Sequence, residues 1–132
     1  MFKPDKKKLK NRLDKLTFEV TQNNATEPAF SGDYYNFYEN GIYHCVCCNT
    51  ELFHSKDKYD SGSGWPSFFA SINENDLQFI RDDSYGMVRV EVRCKRCDSH
   101  LGHVFDDGPK PSYKRFCINS VSLKFENKEN EL

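Results

Sequence analysis

Residues 87–97 read Met-Val-Arg-Val-Glu-Val-Arg-Cys-Lys-Arg-Cys, and this stretch joins a strand to a pair of metal-type ligands. Valines alternate with charged residues from 87 to 93, which is the two-residue period of a β-strand with one apolar and one polar face. The strand leads directly into Cys94 and Cys97, a Cys-x-x-Cys pair that we call a hook. The stretch predicts a mainly β protein in which a strand delivers two thiolates.

A second hook, Cys45 and Cys48, follows another alternating stretch at residues 42–46. Two hooks supply the four thiolates of a tetrahedral Zn²⁺ site, here Cys45, Cys48, Cys94 and Cys97. Protein ligands then fill every position, so we expect one structural zinc ion per chain. The alternative interpretations are unliganded thiols or a redox Cys-x-x-Cys pair.

Two residues beside the hooks are assigned no metal role. His44 is predicted to be a surface strand residue. Cys47 lies between two ligands and is interpreted as a spare small residue, with redox chemistry as the alternative.

The length of the chain favours a single domain, residues 1–132. Charged residues make up 30% of the chain, and the 14% aromatic share supplies core volume. The net charge of −1 argues against nucleic acid or a membrane surface as partners. No apolar run reaches the length of a transmembrane helix, and no apolar segment follows the basic N-terminus. We therefore expect a cytoplasmic location and reduced thiols, with an exported mature chain as the alternative.

The remaining pattern gives a coarse order of elements. Leucines at helical spacing predict one amphipathic helix over residues 5–16, with its lysines facing solvent. An aromatic arm over residues 21–41 follows. Strands are predicted at 42–46, 77–81, 87–93 and 115–125, the last placing Cys117, Asn119 and the apolar residues after them on one face. Residues 126–132 are predicted to be a polar tail.

Three further segments carry chemistry-bearing residues. The first, at residues 61–68, reads Ser-Gly-Ser-Gly-Trp-Pro-Ser-Phe and holds Trp65. The second, at residues 100–105, reads His-Leu-Gly-His-Val-Phe, and the third, at residues 115–120, reads Arg-Phe-Cys-Ile-Asn-Ser. Together with the two hooks, and in this order, they resemble the methionine-R-sulfoxide reductases of the MsrB family over about residues 12–126.

The resemblance implies a fold and a reaction. The fold is two antiparallel sheets with short N-terminal helices and a zinc site at one edge. The reaction is thiol-dependent reduction of methionine-R-sulfoxide, free or in oxidised proteins, through a cysteine sulfenic acid. Thioredoxin or another thiol is the implied reductant, and repair of oxidative damage is the implied role.

The site residues follow from the motif match and from the needs of the reaction. Cys117 is assigned as the nucleophile, and we expect its pKa to be depressed because a thiolate attacks. His103 is assigned as the proton donor to the sulfoxide oxygen, with Asn119 orienting groups. Trp65 offers an apolar wall for the S-methyl group. His100 and Arg115 complete the catalytic set as hydrogen-bonding or cationic groups.

Each of these residues also has a structural interpretation. Cys117 and Trp65 could be core residues, the two histidines could serve packing, and Arg115 could be a surface charge. Asp107 could form a hydrogen bond to a histidine or shape a turn.

The chain departs from the family pattern at three positions. Ser63 stands where many members carry a recycling cysteine, Tyr85 where a histidine is usual, and Asp106 where a proline is common. The first departure affects the mechanism, because the second thiol is absent. An external thiol is the favoured route of recycling, and Cys47 is the alternative.

Two other classes of function compete with the reductase. One is a zinc-ribbon module that binds nucleic acid through the N-terminal lysines, which the near-neutral charge disfavours. The other is a cysteine hydrolase that uses Cys117 and His103, which leaves the Trp65 segment without a role.

Overall fold

Nine strands form two antiparallel sheets in the computed structural model, which describes residues 5–128. The strands are β1 (Gly41–Cys45), β2 (Glu51–His54), β3 (Lys58–Tyr59), β4 (Ser67–Phe68), β5 (Leu77–Asp82), β6 (Arg89–Cys94), β7 (His100–Phe105), β8 (Arg115–Ile118) and β9 (Leu123–Asn127). The smaller sheet has the order β2-β1-β9, and the larger has the order β3-β4-β8-β7-β6-β5. The predicted mainly β fold of two antiparallel sheets is confirmed.

Aromatic rings fill the space between the two sheets. Tyr43 and Phe53 from the smaller sheet meet Phe68 and Phe116 from the larger one, and all four side chains are fully buried. Phe53 stacks on Phe68 with ring centroids 4.4 Å apart. These rings give a chain rich in charged residues enough buried apolar area to hold the sheets together.

The N-terminal segment forms two helices, α1 (Lys6–Arg12) and α2 (Lys15–Asn23), instead of the single predicted helix. The backbone is extended at Leu13, with ψ 147°, so the first helix ends there. The Asp14 carboxylate then accepts a hydrogen bond of 2.8 Å from the Thr17 N–H and starts the second helix. The prediction of one helix over 5–16 was wrong because it gave weight to the leucine spacing and none to this N-cap.

Both helices pack toward the hooks. Val20 and Thr21 of α2 are fully buried, and α2 lies against β7. The Arg12 guanidinium donates to the carbonyl oxygens of Val46 and Cys47 at 3.3 and 3.2 Å. The α1 lysines are exposed, as predicted, whereas Arg12 ties the first helix to the first hook.

The predicted long strand over 115–125 is wrong. The chain leaves the larger sheet at Ile118, makes a 3₁₀ turn at Ser120–Ser122, and enters the smaller sheet as β9. On β8 the core-facing residues are Phe116 and Ile118, both fully buried. Cys117 therefore lies on the face opposite the core, and the predicted shared face does not exist.

The other predictions of elements are largely confirmed. The strands predicted at 42–46, 77–81 and 87–93 correspond to β1, β5 and β6 within two residues at each end. Residues 24–40 contain no regular helix or strand, as expected for the arm, and β9 extends into the predicted tail as far as Asn127. Residues 129–132 of that tail lie outside the described range. Within residues 5–128, no helix has the length and apolar character needed to cross a membrane.

Candidate active site and metal centre

The two hooks bring four cysteine sulfurs together at one end of the sheets. The Sγ atoms of Cys45, Cys48, Cys94 and Cys97 all lie within 4.8 Å of one another. Two of these separations are 3.6 Å, from Cys45 to Cys97, and 3.5 Å, from Cys48 to Cys94. Zinc–sulfur bonds of about 2.3 Å in a tetrahedron require sulfur separations of roughly 3.8 Å. The four side chains therefore have the spacing of a zinc site.

Each hook is built on the same backbone turn. Asn49 N–H donates to the Cys45 carbonyl at 2.8 Å, and Asp98 N–H donates to the Cys94 carbonyl at 2.7 Å. Asn49 and Asp98 both have left-handed backbone, with φ 68° and 63°. Asn and Asp tolerate this conformation better than other residues with a side chain. The sequence thus encodes two equivalent turns, each closing one cysteine pair.

A hydroxyl group follows each hook and reaches its second sulfur. Thr50 Oγ1 lies 3.1 Å from Cys48 Sγ, and Ser99 Oγ lies 3.1 Å from Cys97 Sγ. A hydroxyl donor at this distance stabilises a thiolate and orients it. Sequence analysis overlooked these residues, although both stand two positions after the second cysteine of a hook.

His44 and Cys47, the two residues beside the hooks that were assigned no metal role, are both buried. His44 is buried and not a surface residue, with Nδ1 3.1 Å from the Asn49 carbonyl oxygen and Nε2 3.1 Å from a Glu126 carboxylate oxygen. The prediction failed because all five residues of β1 are buried, so neither face of this strand is exposed to solvent. Cys47 is also buried, and the Gln22 amide donates to its sulfur at 3.5 Å.

A row of polar side chains crosses one face of the larger sheet. Strand register places Glu91 opposite His103, His103 opposite Cys117, and Cys117 opposite Ser67. Directly opposite residues point to the same face with Cβ atoms about 5 Å apart. The register therefore delivers Cys117 and His103, which are distant in sequence, as nearest neighbours.

A cavity of about 250 Å³ opens over this row. It is lined by Thr26, Trp65, Arg89, Gly102, His103, Phe105, Arg115, Cys117 and Asn119. The structure thus brings five of the six predicted catalytic and substrate-binding residues to one cavity. The sixth, His100, lines a neighbouring polar cavity that it shares with His103 and Glu91.

The Cys117 thiol is mostly buried, and its environment acts on it in both directions. Burial raises its pKa, while the Arg115 guanidinium and a hydrogen bond from Ser63 lower it. Glu27 and Asp107 raise the pKa further. The net shift is upward, contrary to the expected depression, so the resting group is a thiol and needs a base before it can attack.

His103 lies between Cys117 and a carboxylate. Its Nε2 is 2.7 Å from an Asp82 oxygen, and the same oxygen is 3.2 Å from an Arg89 Nη2 atom. Hydrogen bonds from Ser84 and His103 hold the pKa of Asp82 well below its usual range. Burial lowers the pKa of His103, against the hydrogen bond to Asp82. The pair at rest is therefore a carboxylate and a neutral imidazole.

A β-bulge explains why two histidines three positions apart face the same side. The β6–β7 register shifts between Val92 and Arg93, so that Val92 lies opposite Gly102 and Arg93 lies opposite His100. The extra residue on β7 reverses the alternation. His100 Nδ1 lies 2.7 Å from Glu91 Oε2 in a buried pair, which anchors the bulge.

One backbone segment ties the Trp65 wall to Asn119. The indole Nε1 donates to the Glu27 carbonyl oxygen at 3.1 Å, and the Glu27 N–H donates to Asn119 Oδ1 at 3.0 Å. The Asn119 amide also donates to the Leu101 carbonyl oxygen at 3.0 Å. Asn119 is thus committed to backbone partners, and it orients the cavity walls.

Arg115 is held by an acidic partner. Its Nε and Nη2 atoms donate to the two Asp107 oxygens at 2.9 and 3.1 Å, and its guanidinium lies 4.4 Å from the Phe105 ring centroid. This geometry raises the pKa of Arg115 and fixes a permanent positive charge at the cavity. Asp107 contacts this arginine, not a histidine.

Known proteins resemble this chain over almost its whole length. A family model described as SelR domain matches residues 13–127. The chain is 51% identical over 128 residues to the peptide methionine sulfoxide reductase MsrB of Escherichia coli O139:H28 (strain E24377A / ETEC) and to that of Escherichia coli (strain K12 / DH10B). Each alignment covers 97% of this chain and 93% of the relative. The chain belongs to the MsrB family.

Several residues of this MsrB-family cavity were missed by sequence analysis. Gly102 has a clear signal in hindsight, because it separates the two motif histidines, and a Cβ there would lie 2.1 Å from the Cys117 carbonyl oxygen. Arg89, and Asp82 in the neighbouring polar cavity, gave none, because the contacts of Asp82 with His103 and Arg89 depend on the pairing of three strands. Thr26 belongs to the irregular arm, which has no helical or strand periodicity from which the position of a side chain could be predicted.

Proposed function

We propose that this protein reduces methionine-R-sulfoxide, in oxidised proteins or as the free amino acid, to methionine. One observation carries the proposal: Cys117 lies directly opposite His103 beneath a cavity walled by Trp65. The cavity thus offers a nucleophile, a proton donor and an apolar wall, which are the three groups that sulfoxide reduction needs. The MsrB relatives are named for the same chemistry.

The first half-reaction uses Cys117 as the reductant. Its thiol passes its proton to His103 as the sulfur attacks the sulfoxide sulfur, and His103 delivers that proton to the sulfoxide oxygen. The protonated oxygen passes to the Cys117 sulfur, and methionine leaves. The methionine sulfur gains two electrons, Cys117 becomes a sulfenic acid, and no other reductant enters this step.

The surrounding residues are assigned supporting roles. Trp65 holds the S-methyl group against its ring, and Asn119 keeps that wall in position through its hydrogen bond with Glu27. Arg115 stabilises developing negative charge on Cys117. His100 acts from behind the cavity, through its buried pair with Glu91 and its contact with the His103 ring at 5.7 Å between centroids.

An external thiol completes the cycle. It attacks the sulfenic acid to form a mixed disulfide and water, and a second thiol then releases reduced Cys117. Thioredoxin, or a small thiol in its place, is the proposed reductant. Cys47 does not line the Cys117 cavity, because it is buried against Gln22 beside the first hook, and this supports the external route over an internal one.

The four hook cysteines are proposed to hold one structural Zn²⁺. Their sulfur spacing fits the ion, and four protein ligands leave no position for substrate. The metal would join the turn after β1 to the turn after β6, which belong to different sheets. It supplies stability and takes no part in the reaction.

The proposed setting is the reducing cytoplasm, where unpaired thiols and a thiol reductant are both available. None of the six cysteines forms a disulfide in the structure. The small net charge of −1 supports a role without nucleic acid or membrane partners.

A single-turnover experiment tests the proposal. The reduced protein is mixed with one equivalent of a methionine-R-sulfoxide peptide without reductant, and its thiols are mapped by mass spectrometry. We expect one equivalent of methionine and a sulfenic acid trapped on Cys117. Methionine formed without loss of the Cys117 thiol would refute the assignment, and a quantitative Cys47–Cys117 disulfide would overturn the external route.

A further inference from the structure

Asp82 is the one carboxylate in direct contact with the ring of His103 among the described residues. Its Oδ2 atom lies 2.7 Å from His103 Nε2. The residue ends the edge strand β5, where it pairs in register with Arg89 of β6. The Arg89 guanidinium contacts the same oxygen at 3.2 Å, which fixes the carboxylate from the other side.

This contact selects one tautomer of His103. Asp82 is ionised at rest and can only accept a hydrogen bond, so Nε2 must carry the ring proton. In a neutral imidazole the other nitrogen, Nδ1, is then left without a proton. His103 is therefore held in the form that can take a proton through Nδ1.

Cys117 needs such a base. Burial raises the pKa of its thiol, so little thiolate exists before substrate binds. Cys117 lies directly opposite His103 in the β7–β8 register, with Cβ atoms about 5 Å apart. This register places a neutral imidazole beside the thiol as a candidate acceptor for its proton.

We propose that Asp82 is a positioning residue that completes an Asp82–His103–Cys117 relay across three strands of the larger sheet. The inference rests on the proposed function and deepens it. The same arrangement of carboxylate, imidazole and nucleophile activates the serine of hydrolytic triads. In this site the relay serves a thiol that reduces a sulfoxide.

The relay needs no proton from outside the site. The Cys117 S–H proton moves to His103 Nδ1, which leaves a thiolate beside an imidazolium whose Nε2–H faces the Asp82 carboxylate. The thiolate sulfur bonds to the sulfoxide sulfur, and the imidazolium returns its proton to the sulfoxide oxygen. Histidine and aspartate end as they began, and the two electrons come from Cys117.

Several charged groups face His103, and they set the expected direction of change. Asp82 approaches from β5, Arg89 and Glu91 from β6, His100 from its own strand, and Cys117 and Arg115 from β8. Asp82 raises the pKa of His103, whereas Arg89 and His100 lower it in addition to burial. Removal of the Asp82 charge therefore moves the pKa of His103 further down.

The test compares Asp82→Asn with Asp83→Asn. Asp83 is the next residue, but it is exposed and contacts Arg81 at 2.9 Å, away from the cavity. We expect Asp82→Asn to lower kcat/KM by about 10- to 100-fold, which is within the range of acid–base effects. The acid limb of its pH profile should shift to lower pH, because His103 loses its proton at lower pH. Asp83→Asn should match the wild type in both.

A second measurement does not depend on activity. The pKa of His103 is followed by NMR through its ring Cε1–H signal in both variants, and thermal melting reports the fold. A lower His103 pKa in Asp82→Asn alone supports the relay. An unchanged pH profile and an unchanged His103 pKa would overturn it, as would a loss of activity that tracks only a lower melting temperature. Failure of the wild type to reduce sulfoxide would instead refute the proposed function, and the NMR titration would still decide the Asp82–His103 coupling.

Discussion

Cys117 and His103 lie directly opposite each other on β8 and β7, while Gly102, next to the histidine, lies opposite the core residue Ile118. One strand pair thus serves the cavity with one face and the core with the other. Any change that shifts this register by one residue would turn Cys117 toward the core. The reactive site therefore depends on the packing of Phe116 and Ile118 beneath it.

Replacement of the nucleophile should separate chemistry from folding. We expect Cys117→Ser to abolish methionine formation while zinc content and melting temperature stay close to wild type, because the side chain lies outside the core and outside the hooks. Metal analysis, thermal melting and turnover on one preparation check this. Turnover that persists in the variant would place the nucleophile elsewhere.

Gly102 should be intolerant of a side chain. A Cβ at this position would lie 2.1 Å from the Cys117 carbonyl oxygen, so β7 and β8 would have to separate. We expect Gly102→Ala to reduce the free energy of unfolding by about 3 kcal/mol and to lower activity with it. Denaturant unfolding measures the change.

Gly62→Ala is the matched control for this steric prediction. Gly62 has open space around its Cα, although its φ of 75° favours glycine, so its cost is expected to be about 1 kcal/mol. Equal destabilisation by the two variants would contradict the close packing of β7 on Cys117.

Loss of one hook ligand should loosen the whole domain. We expect Cys94→Ser to bind no zinc and to melt about 10 °C or more below wild type, because the proposed ion would join the two sheets. Cys47→Ser is the control, since Cys47 lies inside a hook but outside the four-sulfur cluster. It should keep one zinc and a near-native melting temperature. A full complement of zinc in Cys94→Ser would rule out the four-cysteine site.

Much of this arrangement could be predicted from local sequence. The hooks were predicted because the spacing of two cysteines fixes a turn, and β6 was predicted because its alternation is regular over 87–93. The junction near Leu13 was missed because the Asp14 cap outweighs the leucine period. The break after Ile118 was missed because apolar alternation continues through the turn into β9, and only the geometry of two sheets separates them.

Sequence motifs predicted the main residues of the site, and the pairing of the strands brings those residues together. Cys117, His103 and Trp65 were predicted, and the structure brings them to one cavity. Asp82 is invisible in the sequence, because an aspartate at the end of an edge strand is usually a solvated residue. The upward pKa shift of Cys117 was missed for a related reason, since burial depends on the packing of distant segments.

A cysteine at position 63 should restore an internal route of recycling. The Ser63 hydroxyl is close enough to Cys117 to lower its pKa by hydrogen bonding. We expect Ser63→Cys to form an intramolecular disulfide with Cys117 after one turnover, detected as a loss of two thiols without a sulfenic acid. Ser31→Cys, a new thiol on the exposed arm, should leave the sulfenic acid in place. A sulfenic acid that persists in Ser63→Cys would show that the loop does not bring this position to Cys117.

The proposed reaction is tested most directly by the rate of dithiothreitol-dependent reduction of the two sulfoxide epimers by the purified protein. A fixed nucleophile, a fixed proton donor and one apolar wall accept a single handedness at sulfur. The resemblance to the MsrB family implies which hand this is, so we predict steady turnover of the R epimer and almost none of the S epimer. Equal rates on both epimers, or turnover of the S epimer alone, would contradict the proposed cavity and its reaction.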